Sequence, residues 1–270
     1  MGFSLICPPP GTDIILKSSD DVLFDAYRRI LIESSPFFSD MFTLPQEDDT
    51  SIPTIQFSES GSVLSDLLML TYPGEDPVID TLDKVSVILE AALKYEMVRA
   101  TQTLRRLLVS PVFLEKEPTR VYAIASRYDL EEEARIASSY TLRINILDCP
   151  LSDELKHITA WSYHRLLLLH RRRSEEALKV LESVQVGEVK CTQCNGIHYG
   201  ALSPPRWWTD FVRRASEELR IRPTSDVIFS MPFLAGSADT GCAKCALSIL
   251  ESHAFLERLK KRIDEIPSTI

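Results

Sequence analysis

Residues 13–42 read DIILKSSDDVLFDAYRRILIESSPFFSDMF. Ile14, Ile15 and Leu16 make an apolar run of strand length. Ser18-Ser19-Asp20-Asp21 is turn chemistry, and Val22-Leu23-Phe24 resumes the apolar character, which predicts a hairpin. From Tyr27 the period changes: Ile30, Leu31, Phe37, Phe38, Met41 and Phe42 recur at helical intervals. Ser35 before Pro36 predicts an N-cap followed by proline at the first helical position. A small hairpin capped by aromatic-rich helical turns is a docking platform without reaction chemistry, so binding is expected rather than catalysis.

Beyond this stretch, Leu44 to Thr50 reads as an acidic loop. Pro53 to Phe57 offers one more strand with Ile55 and Phe57 on one side. From Ser60 the chain is helical. Val63, Leu64, Leu67, Leu68 and Thr71 share a face that stops at Pro73-Gly74. Asp83 to Lys94 (Val87, Ile88, Ala91, Ala92, Tyr95) and Arg99 to Val109 (Thr103, Leu104, Leu107, Leu108) are further helices. A local echo follows. Ala92-Leu93-Lys94-Tyr95-Glu96-Met97 reads almost like Ala125-Ser126-Arg127-Tyr128-Asp129-Leu130, 33 positions later. Helix pairs of that length stack to share a core, so a second domain is expected to extend the first one's helical layer. Asp153 to Val184 predicts helix broken near His170 to Ser174. Gly187 opens a segment of different character. Ser203-Pro204-Pro205 should start a helix burying Trp208, Phe211, Val212, Ala215 and Leu219. Pro223 to Gly241 reads as loop, and Cys245 to Ile263 as a closing helix.

The 270 residues, 44% apolar, suffice for one large domain or two to three small ones. Apolar runs such as Leu166 to Leu169 are too short to span a bilayer, and Met1 to Pro10 does not read as a secretory signal. An intracellular protein, cytoplasmic or nuclear, is expected, with its six cysteines reduced or metal-bound. The net charge of −9 is uneven: residues 1–118 hold 9 Lys/Arg against 19 Asp/Glu, a net of −10. An acidic front half does not suit phosphate contacts. It suits a partner with a basic face, or serves solubility alone.

Five pieces, in order, resemble the BTB/POZ domain: Asp13-Ile14-Ile15-Leu16; Val22-x-Phe24-x-Ala26 with Ile30-Leu31; Ser34-Ser35-Pro36-Phe37-Phe38 with Met41-Phe42; Leu70-Thr71-Tyr72-Pro73-Gly74; and Ala91-Ala92-x-Lys94-Tyr95-x-Met97. The resemblance covers about residues 11–110. The region from Cys191 through Pro204-Pro205-Arg206-Trp207-Trp208 to Cys245 looks like the C-terminal part of a large group of fungal BTB proteins. Tyr27 stands where the family usually has His. Many members carry an extra helix before the first strand that builds a swapped dimer. Only about twelve residues precede Asp13 here, three of them proline, so the usual homodimer is not expected.

The resemblance implies an α+β BTB domain (11–110), then an all-helical extension comprising a BACK-like region (111–186) and a tail (187–270). It also implies protein–protein recognition, often as the adaptor of a cullin-RING ubiquitin ligase. The alternative is a nuclear, transcription-associated BTB protein without that role. In cullin adaptors a hydrophobic-x-Glu motif follows the Met-Phe pair. Here the loop reads Leu44-Pro45-Gln46-Glu47: the glutamate is present, proline stands where a larger apolar residue is expected, and Leu44 lies one position early. Ser39, Asp40, Leu44 and Glu47 are the candidate partner-binding residues, whereas Phe37 and Phe42 are expected in the core.

Cys191-x-x-Cys194 and Cys242-x-x-Cys245 are two thiol pairs separated by 47 residues. Two such pairs complete a closed tetrahedral zinc site, with Gly196 and Gly241 permitting tight turns and His198 as an alternative fourth ligand. Unliganded cysteines or a disulfide are the other readings. Cys7 and Cys149 stand alone. Cys149 with His157 would be a nucleophile pair only with an activating contact, and no oxyanion-hole glycine signature accompanies them, so no catalytic residue is assigned. Arg171-Arg172-Arg173 and Arg206-Trp207-Trp208 with Arg213-Arg214 mix basic and aromatic character. They are read as helix faces with solvated arginines and core tryptophans; nucleic acid is not expected as a partner, nor is a membrane.

Overall fold

The computed structural model describes residues 11–44, 52–198 and 201–270. It divides into two compact units, Met1–Lys116 and Glu117–Ile270.

In the first unit, β1 (Ile14–Lys17) pairs antiparallel with β2 (Leu23–Ala26) and parallel with β3 (Thr54–Gln56), giving the order β2-β1-β3. The hairpin turns at Asp21, whose φ of 63° is the left-handed conformation a short polar side chain tolerates. The expected alternation holds: Ile14, Leu16, Phe24 and Ala26 face the core. Helices α1 (Arg28–Ser34), α2 (Pro36–Thr43), α3 (Gly61–Thr71), α4 (Leu82–Lys94), α5 (Val98–Leu108) and α6 (Pro111–Lys116) complete the unit. Ser35 caps α2, its hydroxyl accepting the Phe38 N–H at 3.1 Å. Helices α1 and α3 have no side-chain cap of their own. Asp13 Oδ1 accepts the Arg28 N–H at 2.8 Å, and Asp20 Oδ1 accepts the Gly61 N–H at 2.7 Å. Carboxylates from either side of β1 thus satisfy two helix N-termini. Tyr72 Oη accepts the Tyr27 N–H at 3.0 Å, tying the end of α3 to the start of α1.

One exposure differs from the face read for α4. Val87 points outward, while Val85 and Leu89 are buried beside Ile88 and Ala92.

The second unit begins with α7 (Pro118–Arg127) and α8 (Glu131–Thr141). The echo in the sequence is a shared helix ending. Glu96 and Asp129 take φ of 50° and 53°, and the next N–H reaches back five residues, Met97 to Ala92 at 2.8 Å and Leu130 to Ala125 at 2.9 Å. That is a left-handed helix terminus closing orphan carbonyls before the next helix starts. A 3₁₀ segment (Asp153–His157) precedes α9 (Ala160–Glu182).

Helix α9 runs unbroken, against the expected interruption near His170 to Ser174. No Pro or Gly lies within it, and its buried His170 and Arg173 are paired. His170 meets Thr141 Oγ1 at 3.0 Å, and Arg173 donates to the carbonyls of Pro223, Ile263 and Ile266. Arg173 is therefore buried rather than solvated; only Arg171 and Arg172 of that run face water.

After a short hairpin of β4 (Gly196–His198) and β5 (Ala201–Ser203), α10 (Arg206–Ile221) carries Trp207, Trp208, Phe211, Ala215 and Leu219 inward. The expected loop from Pro223 to Gly241 is instead α11 (Ser225–Ile228) and α12 (Met231–Asp239). Ser230 caps α12 through the Phe233 N–H, and Pro232 falls in its first turn, where proline starts a helix rather than breaking one. The closing helix is two, α13 (Cys245–Glu251) and α14 (His253–Asp264), bent at Ser252. Ala177 and Leu181 of α9 share one apolar cluster with Val189, Cys191, Trp207, Cys245 and Leu259.

Candidate functional site

Two places in the fold carry functional geometry. The first is the exposed end of α2. Phe38 is buried against Phe57 and Tyr95, with ring centroids 6.0 and 5.9 Å away, and stacks on Phe42 at 6.2 Å. This packing leaves the rest of α2 at the surface. Phe37, expected in the core, is 38% exposed and meets Phe38 and Tyr95 edge-on. Two adjacent aromatics on one helix point about 100° apart, so burying Phe38 turns Phe37 outward. Phe42 is half-buried under the Arg28 guanidinium, 5.4 Å from its ring centre. Of the candidate contact residues, Ser39 is half-buried, Asp40 is exposed, and Leu44 is 61% exposed just past the helix end. Glu47 lies outside the described residues. Ile32 and Phe37 join Asp40 and Leu44 as exposed side chains that the sequence pattern did not single out.

The mount beneath α2 is held by charge as well as packing. Lys94 Nζ reaches Glu59 at 2.8 Å, and Tyr95 Oη donates to the same carboxylate at 2.6 Å. Burial pushes the Glu59 carboxyl upward; the Lys94 and Tyr95 donors outweigh it and hold the group below its ordinary range.

Residues 8–111 match the family model of the BTB/POZ domain. The chain carries a BTB/POZ domain. The BTB unit is a protein–protein interaction module, and the mixed three-stranded sheet with its surrounding helices is its α+β fold. No curated protein matches the chain. Among the described residues no helix is long and apolar enough to cross a membrane.

The second place lies in the unit after the BTB domain. The sulfurs of Cys191, Cys194, Cys242 and Cys245 all lie within 4.8 Å of one another. The closest approaches are 3.5 Å for Cys191–Cys242, 3.5 Å for Cys194–Cys245, 3.7 Å for Cys242–Cys245 and 3.9 Å for Cys191–Cys245. A tetrahedral ion with metal–sulfur bonds of about 2.3 Å needs sulfur–sulfur edges of about 3.8 Å. The four thiols therefore already stand near the vertices of such a site and could hold a metal ion. The side chain of His198 is outside the described residues, and the four cysteines complete a ligand set without it.

The surroundings favour one sulfur as thiolate and oppose two others. Burial alone pushes the Cys191 thiol up; the Ser248 hydroxyl and the backbone N–H groups of Gln193 and Cys194 overcome it and bring the group down to about 6. Burial, reinforced by the three neighbouring thiols, pushes Cys194 up to about 12, opposed by the Arg206 N–H. Burial likewise raises Cys245, opposed by the backbone N–H groups of Cys242 and Trp207. One thiolate is comfortable and further ones repel it, the arrangement a divalent cation relieves. Gly241 is required by space. A Cβ there would meet the Cys245 sulfur, the Cys245 Cβ at 2.6 Å and the Ala238 carbonyl at 3.1 Å.

The remaining cysteine–histidine pair is not assembled among the described residues. Cys149 donates to the Asn145 carbonyl at 3.3 Å and its thiol is raised by burial, while His157 is exposed. The basic–aromatic run also resolves into internal pairs. Arg213 bonds Asp210 and Glu217, Arg214 bonds the Phe233 carbonyl and the Ser237 hydroxyl, and Trp207 is fully buried.

Proposed function

We propose that the protein is an intracellular, non-enzymatic adaptor. Its BTB domain engages a scaffold of the cullin type, and the helical unit after it holds a client. The observation that carries this is the presentation of Phe37 and Asp40 on one short helix, and of Leu44 just past its end, where Phe38 of that helix is locked into an aromatic stack. A rigid mount lowers the ordering cost of binding, and an apolar pair beside an acid suits a groove with a basic rim. Purified cullin tested against the full chain should bind at micromolar concentration, with Asp40→Lys and Leu44→Asp abolishing it and Glu47→Ala weakening it. Absence of binding at about 50 µM, with Glu47→Ala equally silent, would remove the cullin reading. Salt-dependent DNA binding would then favour the nuclear alternative. The engagement of Arg173, Arg213 and Arg214 with internal partners supports a protein rather than a nucleic-acid partner.

We further propose that Cys191, Cys194, Cys242 and Cys245 hold a structural zinc ion. Four thiolates leave no open position for water, so the ion ties chain segments together and does no hydrolytic chemistry. Gently purified protein should carry one zinc per chain. Less than about 0.2 per chain, with no uptake on titration, would overturn this.

A further inference from the structure

A buried cation is costly without an anion beside it, and arginine cannot shed its charge by losing a proton. Arg173 is 5% exposed, and among the described residues no carboxylate stands at ion-pair distance from it. Three of its five N–H groups are used, on the carbonyls of Pro223, Ile263 and Ile266. Those bonds fix the side chain and leave its charge unanswered. Asp264 and Asp226 act on it only from farther away, and each has another partner: Asp264 accepts the Ser225 hydroxyl at 2.5 Å, and Asp226 meets Arg143 at 3.7 Å.

Arg173 lines a cleft of about 430 Å³ between α9 and residues 266–270. Small-molecule sites run from about 300 to 1,000 Å³ and are mostly apolar with a few placed polar groups. The walls here fit that description, with Leu168 and Leu169 on one side and Ile266 and Pro267 on the other. Three arginines and one glutamate supply charge. Arg165 is answered by Glu131 at 3.2 Å, and Glu176 by Lys179 at 2.7 Å. Arg172 is exposed and has no ion-pair partner among the described residues. Arg172 and Arg173 therefore bring positive charge to the cleft with no negative charge to match. The far wall is tied at both ends. Arg173 holds the Ile263 and Ile266 carbonyls, and the Ile270 N–H donates to Ser138 Oγ at 3.2 Å.

We propose that this cleft binds a small organic carboxylate with an apolar body. A carboxylate matches the planar guanidinium fork, and it supplies the charge that Arg172 and Arg173 lack. The apolar body covers the Leu168–Leu169 and Ile266–Pro267 walls. An inorganic anion leaves those walls wet, and a neutral apolar molecule leaves the two cations unanswered. The site needs neither the adaptor reading nor the zinc ion, and it gives the unit after the BTB domain a ligand of its own.

The test titrates octanoate into the full chain, followed by ligand-observed NMR and thermal melts. Octanol, with the same body and no charge, and inorganic phosphate, with charge and no body, are the comparison probes. Octanoate should bind with a Kd below about 1 mM and raise the Tm. Octanol and phosphate should each bind at least about tenfold more weakly. Arg172→Gln removes an exposed charge and leaves the buried bonds of Arg173 in place; it should weaken octanoate by at least about tenfold. Arg171→Gln, whose side chain pairs with Glu175 at 2.9 Å outside the cleft, should leave octanoate binding unchanged. No octanoate binding at about 10 mM overturns the proposal. So does octanol binding as tightly as octanoate, which would mark a merely apolar hole. Phosphate binding as tightly as octanoate would overturn the ligand class, and equal losses from Arg171→Gln and Arg172→Gln would replace the site by the general positive field of α9.

Discussion

Ser35 Oγ donates to the Tyr95 carbonyl at 2.6 Å while accepting the Phe38 N–H at 3.1 Å. One buried hydroxyl therefore caps α2 and bolts it to the end of α4, across 60 residues of chain. The docking edge of α2 owes its orientation to that bond and to the Phe38–Tyr95 stack. Ser35→Ala removes a cap and leaves a buried carbonyl without its donor. It should cost the BTB unit about 2 kcal/mol, read as a lower urea midpoint at unchanged m-value. A loss within error of zero would show that α2 is held by aromatic packing alone.

The left-handed helix endings make a prediction of opposite sign. Glu96 and Asp129 hold φ near 50° with exposed side chains. Glycine adopts that conformation without the Cβ penalty. Glu96→Gly and Asp129→Gly should each stabilise their unit by about 0.5–1 kcal/mol, with glutamate gaining more because aspartate tolerates the left-handed region better. Destabilisation by either variant in thermal melts would mean that the side chain holds something beyond the turn.

Gly241 packs directly against a candidate ligand, Cys245. Gly241→Ala drives a methyl into Cys245 and should lower zinc affinity at least about tenfold in competition with a chelator dye. Gly74→Ala, where a Cβ meets nothing within 4 Å, is the matched control and should bind as the wild type does. Equal affinities for the two would show that the α12–α13 corner yields without disturbing the cluster.

His170 sets a pH dependence. Burial holds its imidazole at about 4, below the ordinary 6.5. Thr141 gives its only hydroxyl proton to the Ser138 carbonyl at 2.6 Å, so its oxygen accepts from His170 Nε2, which must carry the proton of the neutral ring. The unfolded chain takes up a proton as pH falls through 6.5, and the folded chain resists until about 4. The contribution is thus complete above pH 6.5, declines between 6.5 and 4, and is absent below, a swing of about 3 kcal/mol at most. His170→Gln keeps a donor toward Thr141 and cannot titrate. Its unfolding free energy should fall less than the wild type's over that window; parallel curves would refute the assignment.

Much of this was readable without coordinates because it is local. The hairpin, the Ser35-Pro36 helix start, the faces of α3 and α5 and the inward row on α10 follow from periods of two or 3.6 and from cap chemistry a few residues long. Two of the three misread helical stretches had signals of the same kind. Ser230 with Pro232 in the first turn announces α12, and the absence of Pro and Gly announces an unbroken α9. The pairing of Cys191-x-x-Cys194 with Cys242-x-x-Cys245 was legible as chemistry, but its convergence was not, since nothing in 47 intervening residues says where they lead.

What the sequence alone determined, then, is which segments form and which side chains each offers. Only the tertiary structure decided which of Phe37 and Phe38 is outside, that Arg173 is buried among the carbonyls of Pro223, Ile263 and Ile266, that Asp13 and Asp20 serve helix starts far from them in the chain, and that the four cysteines converge. The reason is physical. Propensity and amphipathic period act within a turn or two of backbone, whereas the partner of a buried donor is whatever packing brings to it, and packing is settled by the whole chain at once.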